Sequence, residues 1–437
     1  MKLPKRIANV IINSLKGGVV PRIGLPYITV GREMEINALL RDVDIIADGG
    51  ASFRFISGKY GSGKSFLLQT IRNYVMDRNF VVADADLSPE RRLQGTKGQG
   101  LATYKELIGN LATKTRPEGG ALTLILERWI SGIQSETAAT GLSPETPEFQ
   151  MQVERRIYEA IQTLNELVHG FDFARLLSIY YRAYLAGDDD SKARVVKWFR
   201  GEYATKSEAR AELGVNIIIT DDDWYEYIKL FAAFLKKAGY SGMLILIDEL
   251  VNIYKIPNSI TRQYNYEKIL TIYNDALQGK ARYLGFLFGG TPQCIEDPRR
   301  GLYSYEALKS RLETGRFGNA ESKDMFAPVI RLVPLTYEEL LVLIEKLTQI
   351  HAGLFEYDPI LTQQDMIDFI KIEFSRIGAE SHITPREVIR DYIELLNIVY
   401  QNPGIQAARL LNSGEFSFAQ TPLAQKEHEK EFEEFEI

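Results

Sequence analysis

Several functional classes need residues that this chain barely has. One cysteine, Cys294, in 437 residues excludes an internal disulfide and any Cys-rich metal cluster, and it fits a reducing cytosol. The four histidines, His169, His351, His382 and His428, share no ligand spacing, so no zinc site is assigned. No run approaches the roughly 18 apolar residues that span a bilayer, so no membrane role is expected. Positive charge is not in excess either: 52 Lys and Arg against 58 Asp and Glu leave a net charge of −6. That argues against a surface that grips nucleic acid everywhere, while a local basic patch stays open.

What is present is a soluble globular composition, 45% hydrophobic and 25% charged, in a chain long enough for two or three domains. The N-terminal stretch MKLPKRIANVIINSLKGG puts lysines before an apolar segment, as a signal peptide does. Asn9, Asn13 and Ser14 interrupt that segment, however, and Ile7, Val10, Ile11 and Leu15 fall on one helical face. A packed amphipathic helix is expected.

The most informative stretch is ISGKYGSGKSFLLQTI, residues 56–71. Gly58, Tyr60, Gly61, Ser62, Gly63, Lys64 and Ser65 lie within a G-x-x-x-x-G-K-[ST] match. Glycines let successive N–H groups turn inward as an anion nest. Lys64 supplies a point charge for the β- and γ-phosphates of ATP, and the Ser65 hydroxyl is a ligand for Mg²⁺. Phe53, Phe55 and Ile56 read as a buried strand before the loop. Phe66, Leu67, Leu68 and Ile71 read as the core face of the helix after it, whose positive end faces the phosphates.

A phosphate cradle needs a carboxylate for the metal, and GMLILIDEL, residues 242–250, ends a buried strand in Asp248 and Glu249. Asp248 is assigned to the metal, and Glu249 to polarising the attacking water. The next strand, 283–288, leads to Thr291. Two readings of Thr291 stay open: a contact to the γ-phosphate or lytic water, and a cap on the turn before Pro292. Residues 297–318 hold Arg299, Arg300, Arg311 and Arg316, of which any one is an arginine finger or part of a solvated basic face. Val329 to Leu332 reads as a further strand, and Thr336 with Glu339 is a capping box that starts a helix. In ITPREVIRDYIELL, Arg386 near the helix start either reaches back to the nucleotide or is a surface charge.

The order VGREMEINAL, GKYGSGKS, a strand ending in DE, a strand ending in GGTP, and PLTYEEL before helices resembles AAA+ ATPases of the branch that includes origin-recognition and STAND proteins. On that resemblance Val30, Gly31 and Arg32 lie on the base side of the nucleotide. SGKYGSGKSFLL, VVADADLSPERRLQG and GGTPQCIEDPRRGLYSYEALKSRL resemble the BREX-system ATP-binding family of bacterial anti-phage defence, from about residue 20 to 400. The resemblance implies an α/β fold: a P-loop AAA+ core with a parallel sheet flanked by helices, a large helical insertion and a C-terminal helical lid. It also implies ATP and Mg²⁺ as cofactors, a cytoplasmic ATPase, and helicase- or nuclease-type defence proteins as partners. DNA contact, direct or indirect, is left open. A finger supplied in trans would require a homo-oligomer of unstated size.

Lys64 and Asp248 are 184 positions apart (248 − 64), more than one or two strand–helix units need. The expected division is therefore 1–98 and 241–334 for the ATPase core, 99–240 for the insertion, 335–412 for the lid and 413–437 for an acidic tail. Within the insertion, 135–149 and 187–194 read as loops. Tyr180, Tyr181 and Tyr184 beside Arg182 are either core residues with wet tips or a base-stacking stripe. An enzyme that hydrolyses ATP is the leading functional class. A nucleotide switch is the alternative, and the acidic pair with the arginine-rich segment argues against a small-molecule kinase.

Overall fold

Short apolar runs with both faces buried make the central element of this chain a parallel sheet. The computed structural model describes residues 3–313, 324–375, 384–405 and 407–412. Arg316, His382, His428 and the acidic tail lie outside the described residues. The strands are β1 (Ala51–Ser57), β2 (Val81–Asp86), β3 (Met243–Asp248), β4 (Leu284–Gly290) and β5 (Val329–Arg331), all parallel, in the order β2-β3-β4-β1-β5. The fourth strand starts one residue later and runs two residues further than its sequence pattern predicts. Tyr283 takes a left-handed φ of 56° before it, and Gly289 and Gly290 continue the pairing with Ile56 and Ser57.

Alternation along the strands splits the sheet between two hydrophobic clusters. Phe53, Phe55, Ile245 and Phe286 face one of them, and Ile56, Leu244, Leu246 and Leu287 face the other. The second cluster is closed by the helices Glu33–Ala47 and Lys64–Asp77 through Ile36, Leu39, Leu67 and Ile71. A bidentate pair inside this region, Arg54 Nε to Asp42 at 2.6 Å and Nη2 at 2.8 Å, is buried, and Arg54 Nη1 donates to the carbonyls of Phe326 and Ala327.

The first cluster continues into seven helices between β2 and β3, from Gln99–Gly109 to Trp224–Lys237. They share the core of the sheet. The helix Trp224–Lys237 is buried on nearly every side, from Trp224 and Tyr225 to Phe234 and Leu235, which is the signature of a central helix. Two polar tips in this aromatic core are met by backbone: Trp224 Nε1 donates to the Leu93 carbonyl at 2.9 Å and Tyr104 Oη to that of Phe199 at 2.7 Å. Tyr180 and Tyr181 are buried in this same cluster, so they are core residues and not a stacking platform.

Two expected loops are partly helical. Residues 135–138 complete the helix Leu122–Ala138, and Pro147 opens the next one, capped by Thr146. Asp188 accepts from Ser191 N at 3.0 Å and caps the helix Asp189–Phe199, so this acidic run belongs to a helix start that favours negative charge.

The described residues cluster into two compact units: those within Met34–Lys59 and Leu67–Leu332, and those before Met34 together with Tyr60–Phe66 and the described residues from Val333 to Asn412. The second unit is helical. The helix Lys5–Lys16 buries Ala8, Ile11, Ile12 and Leu15, a face rotated slightly from the one read in the sequence, against Leu343, Ile344, Phe369 and Tyr392. Its helices Tyr337–Phe355 and Pro385–Gln401 both start in capping boxes, Thr336 with Glu339 and Thr384 with Glu387. The described residues before Met34 thus pack with the C-terminal helices.

Candidate nucleotide site

The glycine loop, residues 58–65, leaves the C-terminal edge of β1, where Gly58 N donates to the Gly290 carbonyl at 3.1 Å. Gly61 and Gly63 take φ of 73° and 93°, the left-handed region that L side chains rarely enter. At Gly61 there is a second demand, because a Cβ there would lie 2.4 Å from the Cβ of Thr384. The helix Lys64–Asp77 follows directly, so the positive end of its dipole lies at the loop. Lys64 and Ser65 are half-buried, and Lys64 Nζ lies 5.4 Å from the centre of the exposed Tyr60 ring. Ser62 is buried, and its carbonyl accepts from Arg32 Nη2 at 3.0 Å. Phe66 is partly buried against the helical core that contains Leu25 and Tyr392.

The acidic pair closes β3. Asp248 is half-buried, and its Oδ1 accepts from Glu249 N at 2.9 Å. Glu249 is exposed and holds a left-handed φ of 60°, a strained conformation for a residue with a Cβ. Because β4 separates β3 from β1, the end of β4 decides what room the carboxylate has. A Cβ at Gly289 would lie 2.2 Å from Asp248 Oδ1, so this glycine keeps the carboxylate's place open.

Asp86 and Gly289 belong to this edge and were not singled out by sequence reasoning. Asp86 ends β2 in register with Asp248. Desolvation raises its carboxyl above the usual carboxylate range, and the charge of Asp248 adds to that, with Asp84 and Glu106 in support and Arg91 opposing. An acidic residue closing VVADAD and the paired glycines closing FLFGG were the available signals. Both become interpretable only once the strand order is known.

The segment after β2, which includes LSPERRLQG, is pinned to this edge and to the inserted helices. Leu87 N donates to the Asp248 carbonyl at 3.1 Å, and the Leu87 carbonyl accepts from Asn252 at 2.8 Å. Fully buried Asn265 accepts from Leu93 N and Gln94 N at 3.0 Å each and donates to the carbonyls of Gln94 and Thr261. Asp221 receives Gly98 N at 2.8 Å and Leu101 N at 2.7 Å, capping the helix Gln99–Gly109 from far along the chain.

Thr291 caps the helix Pro292–Glu296, accepting from Cys294 N at 3.4 Å, and Cys294 is buried. Arg299 is exposed, while Arg300 lies over the Tyr254 ring at 5.5 Å. Arg311 is exposed on the helix Glu306–Leu312 and donates to the Ala307 carbonyl at 2.6 Å and to Asn274 at 3.2 Å. Arg386 is exposed in the first turn of Pro385–Gln401. Val30 packs on the helical core, and the space beside Gly31 is filled by the Glu339 carboxylate. Among the described residues, no group of three or more His, Cys, Asp or Glu is placed to hold a metal, and no helix is long and apolar enough to cross a membrane.

A family model described as BREX system ATP-binding protein BrxC/D matches residues 3–415. The chain belongs to this family. It is therefore an ATP-binding component of an antiviral defence system, and the BrxC/D match spans the glycine loop, the acidic strand end and the C-terminal helices alike. No curated protein matches the chain.

Proposed function

We propose that this BrxC/D family member is a cytoplasmic, Mg²⁺-dependent ATPase that drives an anti-phage complex acting on DNA or on a DNA-processing partner. One observation carries the reading: the phosphate loop and the Asp248–Glu249 pair leave the same C-terminal edge of one parallel sheet, and a glycine holds open the place of the Asp248 carboxylate. Open α/β sheets bind their ligands at that edge. The loop amides and Lys64 bind and orient the phosphates. Ser65 and Asp248 are the residues that would hold Mg²⁺, and a hydroxyl with a carboxylate is the hard-oxygen donor set this ion takes. When bound, Mg²⁺ supplies charge neutralisation at the β- and γ-phosphates. Glu249, exposed at the strand end, orients and polarises the attacking water. Thr291 stands one residue beyond β4 as a candidate for the γ-phosphate, and Arg311 and Arg386 are the candidates for charge stabilisation, from this chain or from a neighbouring copy.

A switch with slow turnover is the second reading. It is favoured by the packing of Gly61 against Thr384, which places the loop in one compact unit with the C-terminal helices. Bound nucleotide would then select a conformation. Phosphate release from Mg-ATP, with and without DNA, separates the two. Turnover below about one per hour under both conditions would sink the motor reading. Glu249→Gln is expected to retain ATP unhydrolysed and Lys64→Ala to lose it. Normal hydrolysis by Glu249→Gln would remove Glu249 from its role.

A further inference from the structure

The geometry points to Arg32 as a positioning residue that sets the direction of a phosphate-loop amide. We infer this from contacts within one compact unit, and it rests on the reading of residues 58–65 as the ATP phosphate cradle. Arg32 is only 4% exposed. A single nitrogen of its guanidinium, Nη2, donates to the Ser62 carbonyl at 3.0 Å and to the Val333 carbonyl at 2.9 Å, which uses both of its hydrogens.

The consequence follows from peptide geometry. The Ser62 carbonyl and the Gly63 N–H belong to one planar trans unit, so they point in opposite directions. A charge-assisted bond that draws the carbonyl toward Arg32 therefore turns the Gly63 N–H away from it. In an anion nest the amides face the ligand and the carbonyls face out. The Gly63 φ of 93° leaves this peptide free to rotate unless something outside the loop holds it, because glycine has no Cβ to restrict it. Arg32 is that holder.

Arg32 is itself anchored. The preceding Gly31 has a φ of 66°, and the Glu339 carboxylate lies 2.4 Å from where its Cβ would be. The same carboxylate caps the helix Tyr337–Phe355 through Thr336 N at 2.8 Å. The chain from Gly31 to Arg32 is thus seated on a helix start, and the Val333 carbonyl takes the second hydrogen of the same guanidinium nitrogen. This role differs from the base-side one that the family resemblance implies. A brace on the phosphate loop has no preference for the base, whereas a base contact does.

The test uses the full chain and calorimetric titration with ATP and with GTP. Arg32→Ala is expected to raise both Kd values by about 10- to 100-fold, the range for losing a charge-assisted bond, with the GTP-to-ATP ratio held within about twofold. Hydrogen exchange is expected to speed up over residues 58–66 and not in β1 or β3. Arg32→Lys, which keeps the charge but loses the planar fork, should bind with intermediate affinity and the same ratio. It carries the test alone if the alanine variant does not fold. Unchanged affinity in the folded variants overturns the inference, as does a shift in the ratio of more than about fivefold. Wild-type protein that binds neither nucleotide would overturn the cradle reading as well. Wild-type binding matched by Arg32→Ala would overturn only the role of Arg32.

Discussion

Gly289→Ala isolates the strand-end carboxylate without touching it. The added Cβ would lie 2.2 Å from Asp248 Oδ1, 2.9 Å from its Cγ and 3.2 Å from Leu68 Cδ1. Ordinary contact begins near 3.4 Å, so the carboxylate oxygen must retreat by about 1 Å or leave its rotamer, at a cost of about 0.5–1.5 kcal/mol. Retreat also breaks the 2.9 Å bond from Glu249 N, a bond to a charged acceptor worth about 1.5–3 kcal/mol. Gly289 is not among the residues with positive φ, so alanine meets no backbone penalty and the effect runs through Asp248. A displacement of that size at a reacting centre lowers turnover by about 100-fold. The assay is phosphate release from ATP across a Mg²⁺ titration, with nucleotide binding measured separately in EDTA. The expected variant needs more Mg²⁺ and turns over about 100-fold more slowly, yet binds Mg-free nucleotide as wild type does. Wild-type turnover with wild-type Mg²⁺ dependence would refute the assignment of Asp248 to the metal.

Two further perturbations test the scaffold. Asn265→Ala removes both bonds to Leu93 N and Gln94 N from a fully buried position, and about 2–4 kcal/mol of stability should be lost in urea unfolding. A loss below about 0.5 kcal/mol would mean that the segment after β2 is held by other contacts. In the helical unit, His351 is buried against Tyr357, and burial holds its imidazole below the usual 6.5 while Asn397 opposes weakly. The unfolded chain then takes up a proton before the folded one does. The stability from neutral His351 is complete above pH 6.5 and is lost as pH falls below it, with a slope approaching about 1.4 kcal/mol per pH unit. Melting temperatures between pH 7.5 and 5.5 should fall more steeply for wild type than for His351→Gln. Parallel curves would contradict that account.

The legible parts of this chain were those whose causes lie within one element. Strand, glycine loop and helix around Gly58 to Ile71 are adjacent in sequence, as are the apolar run before Asp248 and the capping box of Thr336 and Glu339. The α/β class and the family resemblance followed from such stretches. The loops misread at 135–138 and 187–194 show the limit: polar residues signal a turn, but Asp188 used its carboxylate to start a helix. Residues 1–98 read as one continuous part of the core, yet the helix Lys5–Lys16 packs with helices more than 300 positions away, because Ile11 and Leu15 find their apolar partners there.

The sequence by itself determined the strand, glycine loop and helix around Gly58 to Ile71, the acidic strand end and the starts of the C-terminal helices, since each depends on spacing over a few residues. Only the tertiary structure decided that β4 lies between β1 and β3, that Gly289 must lack a side chain for Asp248 to fit, and that Arg32 grips a carbonyl 30 positions away and another 301 positions away. Those are consequences of packing and of burying donors against acceptors. No local pattern encodes which distant carbonyl a buried guanidinium will find.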